Sequence, residues 1–159
     1  MNYQAILLSS EHVPFVASIF SKNIAVLHSK PISIGEWYRC LCEVVDSDEK
    51  HFIITANGNN AAWLKLNGLD GEDIYISMLV VATEYQRQGV GAYAIRVAEE
   101  YARRVGKNAL KLCTTQDNTD AIAFYKAQGF EITRSICYTV GDAILQDGYE
   151  FQKVWEAKT

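Results

Sequence analysis

The stretch Ile74 to Ala92, IYISMLVVATEYQRQGVGA, decides the fold. Its first half is strand-like, and the nearly continuous apolar end from Met78 to Ala82 has the pattern of a central strand buried on both faces. A short polar loop follows, and a long helix opens at Gly89. From Gly89 to Val105, Val90, Ala94, Val97, Ala98, Tyr101, Ala102 and Val105 repeat on one stripe, with Arg96, Glu99, Glu100, Arg103 and Arg104 opposite. Glu99/Arg103 and Glu100/Arg104 have the spacing of favourable helical pairs, and Gly106 is placed to end the helix.

Working outward, Ala109 to Thr114 reads as a strand. Asn118 or Thr119 caps a helix over Ala121 to Gln128 that stops at Gly129, and Phe130 to Tyr138 and Tyr149 to Val154 are the last two strands. Upstream, His51 to Ala56 and Ala61 to Leu66 form a hairpin about Asn57-Gly58-Asn59-Asn60, and Asn67 to Gly71 turns into the strand Asp73 to Ala82. Asp46 to Lys50 is too polar for a core element and reads as a loop. Ser10 to Lys22, capped by Ser9 or Ser10, is a first helix with Val13, Val16, Ala17 and Phe20 on one face. Ser33 to Val44 is a second, with Ile34, Trp37, Cys40, Leu41 and Val44 on its stripe. The order ααβββαβαββ is that of an α+β protein, a mixed sheet with helices on its faces. The chain has 159 residues, two prolines and no linker-like tract, which points to one domain over 1–159.

The loop Gln86-Arg87-Gln88-Gly89-Val90-Gly91 enters the helix N-terminus. There the first-turn N–H groups lack intrahelical partners, and the helix dipole favours an anion such as phosphate. Three readings compete. The glycines can simply shape a turn. Gly89-x-Gly91-x-x-Ala94 fits a dinucleotide fingerprint and hence a nicotinamide-dependent reductase, but six residues, Thr83 to Gln88, separate the strand from Gly89, and no acidic residue stands at the ribose position. A nucleoside triphosphate P-loop fails, because no Gly-Lys-Ser/Thr follows.

The third reading is a resemblance. Gln-x-x-Gly-x-Gly after Leu79-x-Val81 resembles the acetyl-CoA-binding motif of the GCN5-related N-acetyltransferase (GNAT) family. Asn118-Thr119-Asp120-Ala121-Ile122-Ala123-Phe124-Tyr125-Lys126-Ala127-Gln128-Gly129-Phe130 resembles the downstream motif of that family, and from Leu79 to Phe130 the two span about a third of the chain. Ala82 stands where the family often has proline. The resemblance implies a single-domain α+β fold with a mixed sheet of about seven strands and helices on both faces. It implies acetyl-CoA as co-substrate and transfer of an acetyl group to a primary amine by direct attack. Backbone groups of Leu79, Val80 and Val81 would pair with the pantetheine arm like an added strand, helped by a bulge near Met78 or Leu79. N–H groups from Gln86 or Arg87 through Gln88, Gly89, Val90, Gly91 and Ala92 would hold the pyrophosphate. Asn118 would bond the cofactor arm, and Tyr125 would act as general acid toward the thiolate. Lys126 is within reach of phosphates or is a solvated surface lysine. The alternative is a non-catalytic acyl-CoA-binding module of the same fold.

Such a transfer needs a deprotonated amine, a donor for the oxyanion (here an N–H near Val81) and an acid for the leaving thiolate, for which a tyrosine of pKa about 10 is suited. Glu72, Asp73, Tyr75, Ser77 and Glu84 flank the central strand, but none stands out as base. Cys113 and Cys137 read as small apolar strand residues, and Cys40 and Cys42 face different ways on a helix. His12, His28 and His51 are scattered, so no metal site is expected. The net charge of −4 gives no general pull toward nucleic acid or anionic lipid, no apolar run reaches membrane-span length, and the four cysteines without an export signal point to a reduced, cytoplasmic protein. An acidic chain suits a cationic small-molecule or peptide amine, with Trp37, Tyr38, Tyr138 and Tyr149 as candidate lining. Homodimers are frequent in the family, and no stripe here marks an interface.

Overall fold

A computed structural model describes residues 1–25, 30–43, 46–140 and 144–155, with the backbone alone described at 138–140 and 144–145. The elements are β1 Tyr3–Leu7, α1 Val13–Lys22, α2 Ile34–Tyr38, β2 Glu49–Ala56, β3 Asn59–Asn67, β4 Ile74–Val81, α3 Val90–Arg104, β5 Ala109–Thr115, α4 Thr119–Ala127, β6 Glu131–Val140 and β7 Ile144–Val154. The strands form one seven-stranded sheet in the order β1-β2-β3-β4-β5-β7-β6. Only the central β4–β5 pair is parallel, joined by the α3 crossover; the other pairs are antiparallel.

The expected α+β sheet with helices on both faces is present. α3 covers one face, packing Ile95, Ala98 and Ala102 on Leu64, Leu66, Ile74, Leu110 and Phe151. On the other face α1 and α2 bury Val13, Val16, Phe20 and Trp37 against Ile53, Trp63 and Val80. Alternation along each strand sends successive side chains to these two cores.

Four local expectations change. The N-terminal stretch adds an edge strand, β1, that the element order lacked. The first helix begins with a 3₁₀ turn at Ser10–His12 before α1. The second helix keeps the Ser33 cap, whose hydroxyl accepts the Glu36 N–H at 3.2 Å, but opens into a wide i→i+5 turn at Arg39–Glu43. That change of pitch takes Cys40 off the stripe, and Ile34 is also exposed; Val44 lies outside the described residues. β7 is longer than expected, because Gly148 is carried inside the ladder between Thr115 and Ile136. Of the two expected helical pairs, Glu99–Arg103 forms at 2.9 Å, and Lys153 joins the same carboxylate at 3.0 Å.

The turn before β4 sets where that strand starts. Asp48 clamps it, its carboxylate accepting the N–H groups of Gly68 (3.1 Å) and Asp70 (2.9 Å). Gly68 has φ +86°, and a Cβ there would stand 2.1 Å from the Asp73 carbonyl oxygen. Gly68→Ala is therefore expected to cost at least about 2 kcal/mol, a fall of roughly 5 °C or more in Tm. Gly35→Ala, in a helix with open space around it, is expected to be neutral or mildly stabilising. Thermal melts of the two variants check this ordering.

Candidate functional site

β4 and β5 are paired only at Ile74–Leu110 and Tyr75–Lys111, after which they part. The departure coincides with a bulge: Lys65 lies opposite Met78 and Leu66 opposite Ile76, leaving Ser77 as the extra residue. The bulge thus sits beside Met78, next to the positions expected for it. Beyond it the Ala82 N–H donates to the Ala61 carbonyl at 2.8 Å. Antiparallel alternation then sends the N–H and C=O of Val80 to β3 as well, and those of Leu79 and Val81 to the side that β5 has left. The Gln86 side-chain amide donates to the Val81 carbonyl at 3.2 Å. Both polar groups of Leu79 and the Val81 N–H remain without a strand partner. Val80, expected among the pairing groups, is instead bound to β3.

The parting strands open a cleft of about 770 Å³. Its walls include Ile76 to Val81, Tyr85, Gln86, Arg87, Gly89, Gly91 and Ala92 on one side, and Cys113, Asn118, Phe124 and Tyr125 on the other. The splay also explains why the apolar end of β4 is not buried on both faces: Met78, Leu79 and Val81 keep surface open to the cleft. Of the expected site residues, Gln88 and Val90 do not line it. Val90 is core, packed with Ala94, and the Gln88 side chain donates to the Glu84 carbonyl at 2.8 Å.

The loop before α3 is shaped to present N–H groups. Arg87 has φ +62° and Gly89 φ +89°, the second a left-handed cap at the helix start. The Gln86 N–H is taken by the Thr83 carbonyl (3.3 Å), and the first helical bond is Tyr93 N–H to Gly89 C=O (3.1 Å). Between them, the N–H groups of Arg87 through Ala92 meet no acceptor among the described residues. Successive N–H groups of this kind at a helix N-terminus form an anion-binding concavity, and the exposed Arg87 guanidinium adds positive charge at its rim. Gly91 serves a different contact: a Cβ there would stand 3.0 Å from the Phe124 ring, so its small size lets α3 and α4 approach.

α4 supplies the opposite wall. Asn118 caps it, its Oδ1 accepting the Ala121 N–H at 3.3 Å, which leaves its Nδ2 as donor toward the cleft. Tyr125 is held by the rings of Phe124 (5.2 Å), Phe130 (5.8 Å) and Phe151 (6.0 Å). Its hydroxyl bonds to none of the described residues, and burial of its surroundings pushes its pKa up to about 12. Lys126 is exposed and does not line the cleft, as suits a solvated lysine.

Cys113 departs from expectation: it is exposed and lines the cleft instead of acting as core. Burial first, and then the neighbouring Glu150 carboxylate, push its thiol upward, so it stays protonated. The alternation Leu110-Lys111-Leu112-Cys113 carried the signal, since it puts Cys113 on the face of Lys111. Cys137 is likewise exposed. Among the residues flanking the central strand, Ser77 lines the cleft, while Asp73 is paired with Lys111 at 3.0 Å. Trp37 is core, edge-on to Phe20 and Trp63, Tyr38 lies at the surface, and Tyr149 packs on the α3 core; His28 and the Tyr138 side chain lie outside the described residues. Among the described residues no three His, Cys, Asp or Glu groups gather to hold a metal, and no helix is long and apolar enough to cross a membrane.

Residues 19–130 match the model of the acetyltransferase (GNAT) family. The N-acetyltransferase family 8 member 3 of Rattus norvegicus is 30% identical over 71 residues, 45% of this chain and 31% of that protein. The chain spans less than two fifths of the length of the curated relatives it matches. Among solved structures, the ribosomal-protein-S18-alanine N-acetyltransferase from Escherichia coli superposes with TM-score 0.74 at 19% identity, covering 99% of this chain and 97% of that one. The spermidine N-acetyltransferase from Vibrio cholerae, in complex with CoA and spermine, gives TM-score 0.78 at 16% identity, covering 96% and 95%. At these identities the likeness is one of fold.

The Gly91–Phe124 contact is testable without a ligand. Gly91→Ala is expected to displace the Phe124 ring and the Tyr125 ring packed on it, costing about 1–3 kcal/mol. A lower Tm together with an altered near-UV circular dichroism spectrum is the expected readout.

Proposed function

The chain belongs to the acetyltransferase (GNAT) family, and from that premise we propose that it transfers an acetyl group from acetyl-CoA to a primary amine of a small molecule or peptide. One observation carries the reading. A single cleft is lined by the unpaired edge of β4, by Arg87, Gly89, Gly91 and Ala92 of the α3 loop, and by Tyr125. A pantetheine arm needs the first, a pyrophosphate the second and a leaving thiolate the third. The CoA complex of the Vibrio cholerae spermidine enzyme supports the same ligand for this fold, and the amine acceptors named for both solved neighbours support an amine here. We take residues 1–159 as one N-acetyltransferase domain, working in the cytoplasm, where its free cysteines stay reduced.

Acetyl-CoA supplies an activated acetyl thioester; this chain's residues bind and polarise it. Leu79 offers N–H and C=O to the amide groups of the arm. Val81 offers its N–H to the thioester oxygen, where negative charge develops. The N–H groups of Arg87, Gly89, Gly91 and Ala92, which line the cleft, take the pyrophosphate, and Asn118 Nδ2 bonds the arm. Tyr125 donates its proton to the departing sulfur. Its raised pKa keeps it protonated over the whole working range, and the same dry surroundings raise the proton affinity of the thiolate it meets. Cys113, a protonated thiol, is no nucleophile, which favours direct attack by the amine.

Tyr125→Phe tests the acid. Turnover of acetyl-CoA with an accepted amine is expected to fall about 100-fold, with the dissociation constant for CoA within about twofold of the parent. An unchanged rate removes Tyr125 from this role. Binding of acetyl-CoA without turnover of any amine favours the non-catalytic module instead. In the parent protein kcat is expected to rise with pH as the amine loses its proton, with no alkaline fall below about pH 10, since Tyr125 titrates near 12. A fall between pH 8 and 9 contradicts the assignment.

A further inference from the structure

Tyr3, on the edge strand β1, lies outside both sequence motifs and outside the part of the chain that the family model matches. Its hydroxyl donates to the carbonyl of Gln88, 85 residues away, within the loop before α3. Its ring packs on Tyr93 of α3, with centroids 5.2 Å apart, and a Cβ at Gly89 would stand 3.0 Å from its hydroxyl. The placement of Tyr3 is itself held: Asn57, in the β2–β3 turn, accepts the Asn2 N–H on its side chain (2.9 Å) and donates its own N–H to the Asn2 carbonyl (2.8 Å).

We propose that Tyr3 is a positioning residue for the phosphate-binding loop, setting the peptide between Gln88 and Gly89 so that the loop's N–H groups face an anion; this rests on the acetyl-CoA reading above. Two physical consequences of the contact carry it. A trans peptide is planar, with its C=O and N–H antiparallel, so fixing the Gln88 carbonyl on Tyr3 aims the Gly89 N–H away from β1. The Gln88 carbonyl is also the i−4 acceptor that would take the Ala92 N–H were the helix to run one residue further back. The Tyr3 hydroxyl and the left-handed Gly89 together hold this carbonyl out of the helix, which leaves Ala92 free, and the first helical bond is the one to Gly89. The hydroxyl thereby stops the helix from consuming a donor that the ligand needs. It also accounts for glycine at position 89 a second time, since any side chain there would meet Tyr3.

The test is Tyr3→Phe, which keeps the ring on Tyr93 and removes only the hydroxyl. Affinities for CoA and for S-acetylpantetheine, which lacks the pyrophosphate, are measured by calorimetry on parent and variant. The variant is expected to bind CoA about 3- to 10-fold more weakly and S-acetylpantetheine unchanged, with KM for acetyl-CoA rising and kcat kept. In the free variant the Ala92 amide is expected to exchange more slowly, because the released Gln88 carbonyl accepts it. Equal CoA affinity in the two proteins overturns the proposal. So does equal weakening toward both ligands, which marks a general loss of structure. If the folded parent protein binds neither ligand, the acetyl-CoA reading itself fails and this proposal falls with it.

Discussion

The early parting of β4 and β5 is the constraint on which the site depends. Two neighbouring parallel strands ordinarily share a full ladder, and here they share only two residue pairs, after which backbone groups in mid-sheet have no strand partner. Leaving such groups unpaired is costly when they are buried. The fold moderates that cost. Gln86 takes the Val81 carbonyl, β3 takes the groups of Val80, and the cleft keeps Leu79 open. The bulge at Ser77 adds the local twist that turns β4 away from its neighbour, and Asp48 and Gly68 fix where β4 begins. The cleft that opens between the strands is walled from α4 by Phe124 and Tyr125.

The α3 N-terminus follows the same logic at a second place. Helix starts leave donors unsatisfied, and most proteins cap them with a side chain or continue into a turn that absorbs them. Here the left-handed Gly89 cap contributes no side-chain acceptor, and the nearest carbonyl able to fold back is tied to Tyr3. Residues of the loop (Arg87, Gly89, Gly91, Ala92) and of β4 line one cleft, with Tyr125 on its opposite wall. Local incompleteness in three elements is the ground on which the proposed acetyl-CoA reading stands.

Much of this was legible in the sequence where spacing encodes local geometry. Gln86 to Gly91 after an apolar strand, and Asn118 to Phe130 with its cap and terminal glycine, are short-range patterns, and they led to the loop, to α4 and to the residues lining the cleft. What depended on distant partners was not legible. β1 is a half-exposed edge strand of ordinary composition, and nothing near Tyr3 hints that its hydroxyl reaches Gln88. Gly148 lies just outside the expected strand Tyr149 to Val154 and is carried inside β7, where it pairs with Thr115 on one side and Ile136 on the other. The wide turn after Tyr38 broke a helical stripe that looked continuous. Cys113 stood in between: strict alternation with Lys111 pointed outward, but a free cysteine in an interior strand usually packs as a small apolar group.

The central claim is that the unpaired N–H groups of β4 and of the α3 loop exist to receive acetyl-CoA. The most direct measurement is amide-resolved nuclear magnetic resonance of the parent protein during titration with acetyl-CoA, with NADH in parallel. The expected result is saturable shifts and slowed exchange at Leu79, Val81 and Arg87 through Ala92 with acetyl-CoA, and none with NADH. Saturable shifts that leave those amides untouched, or equal responses to both ligands, would contradict it.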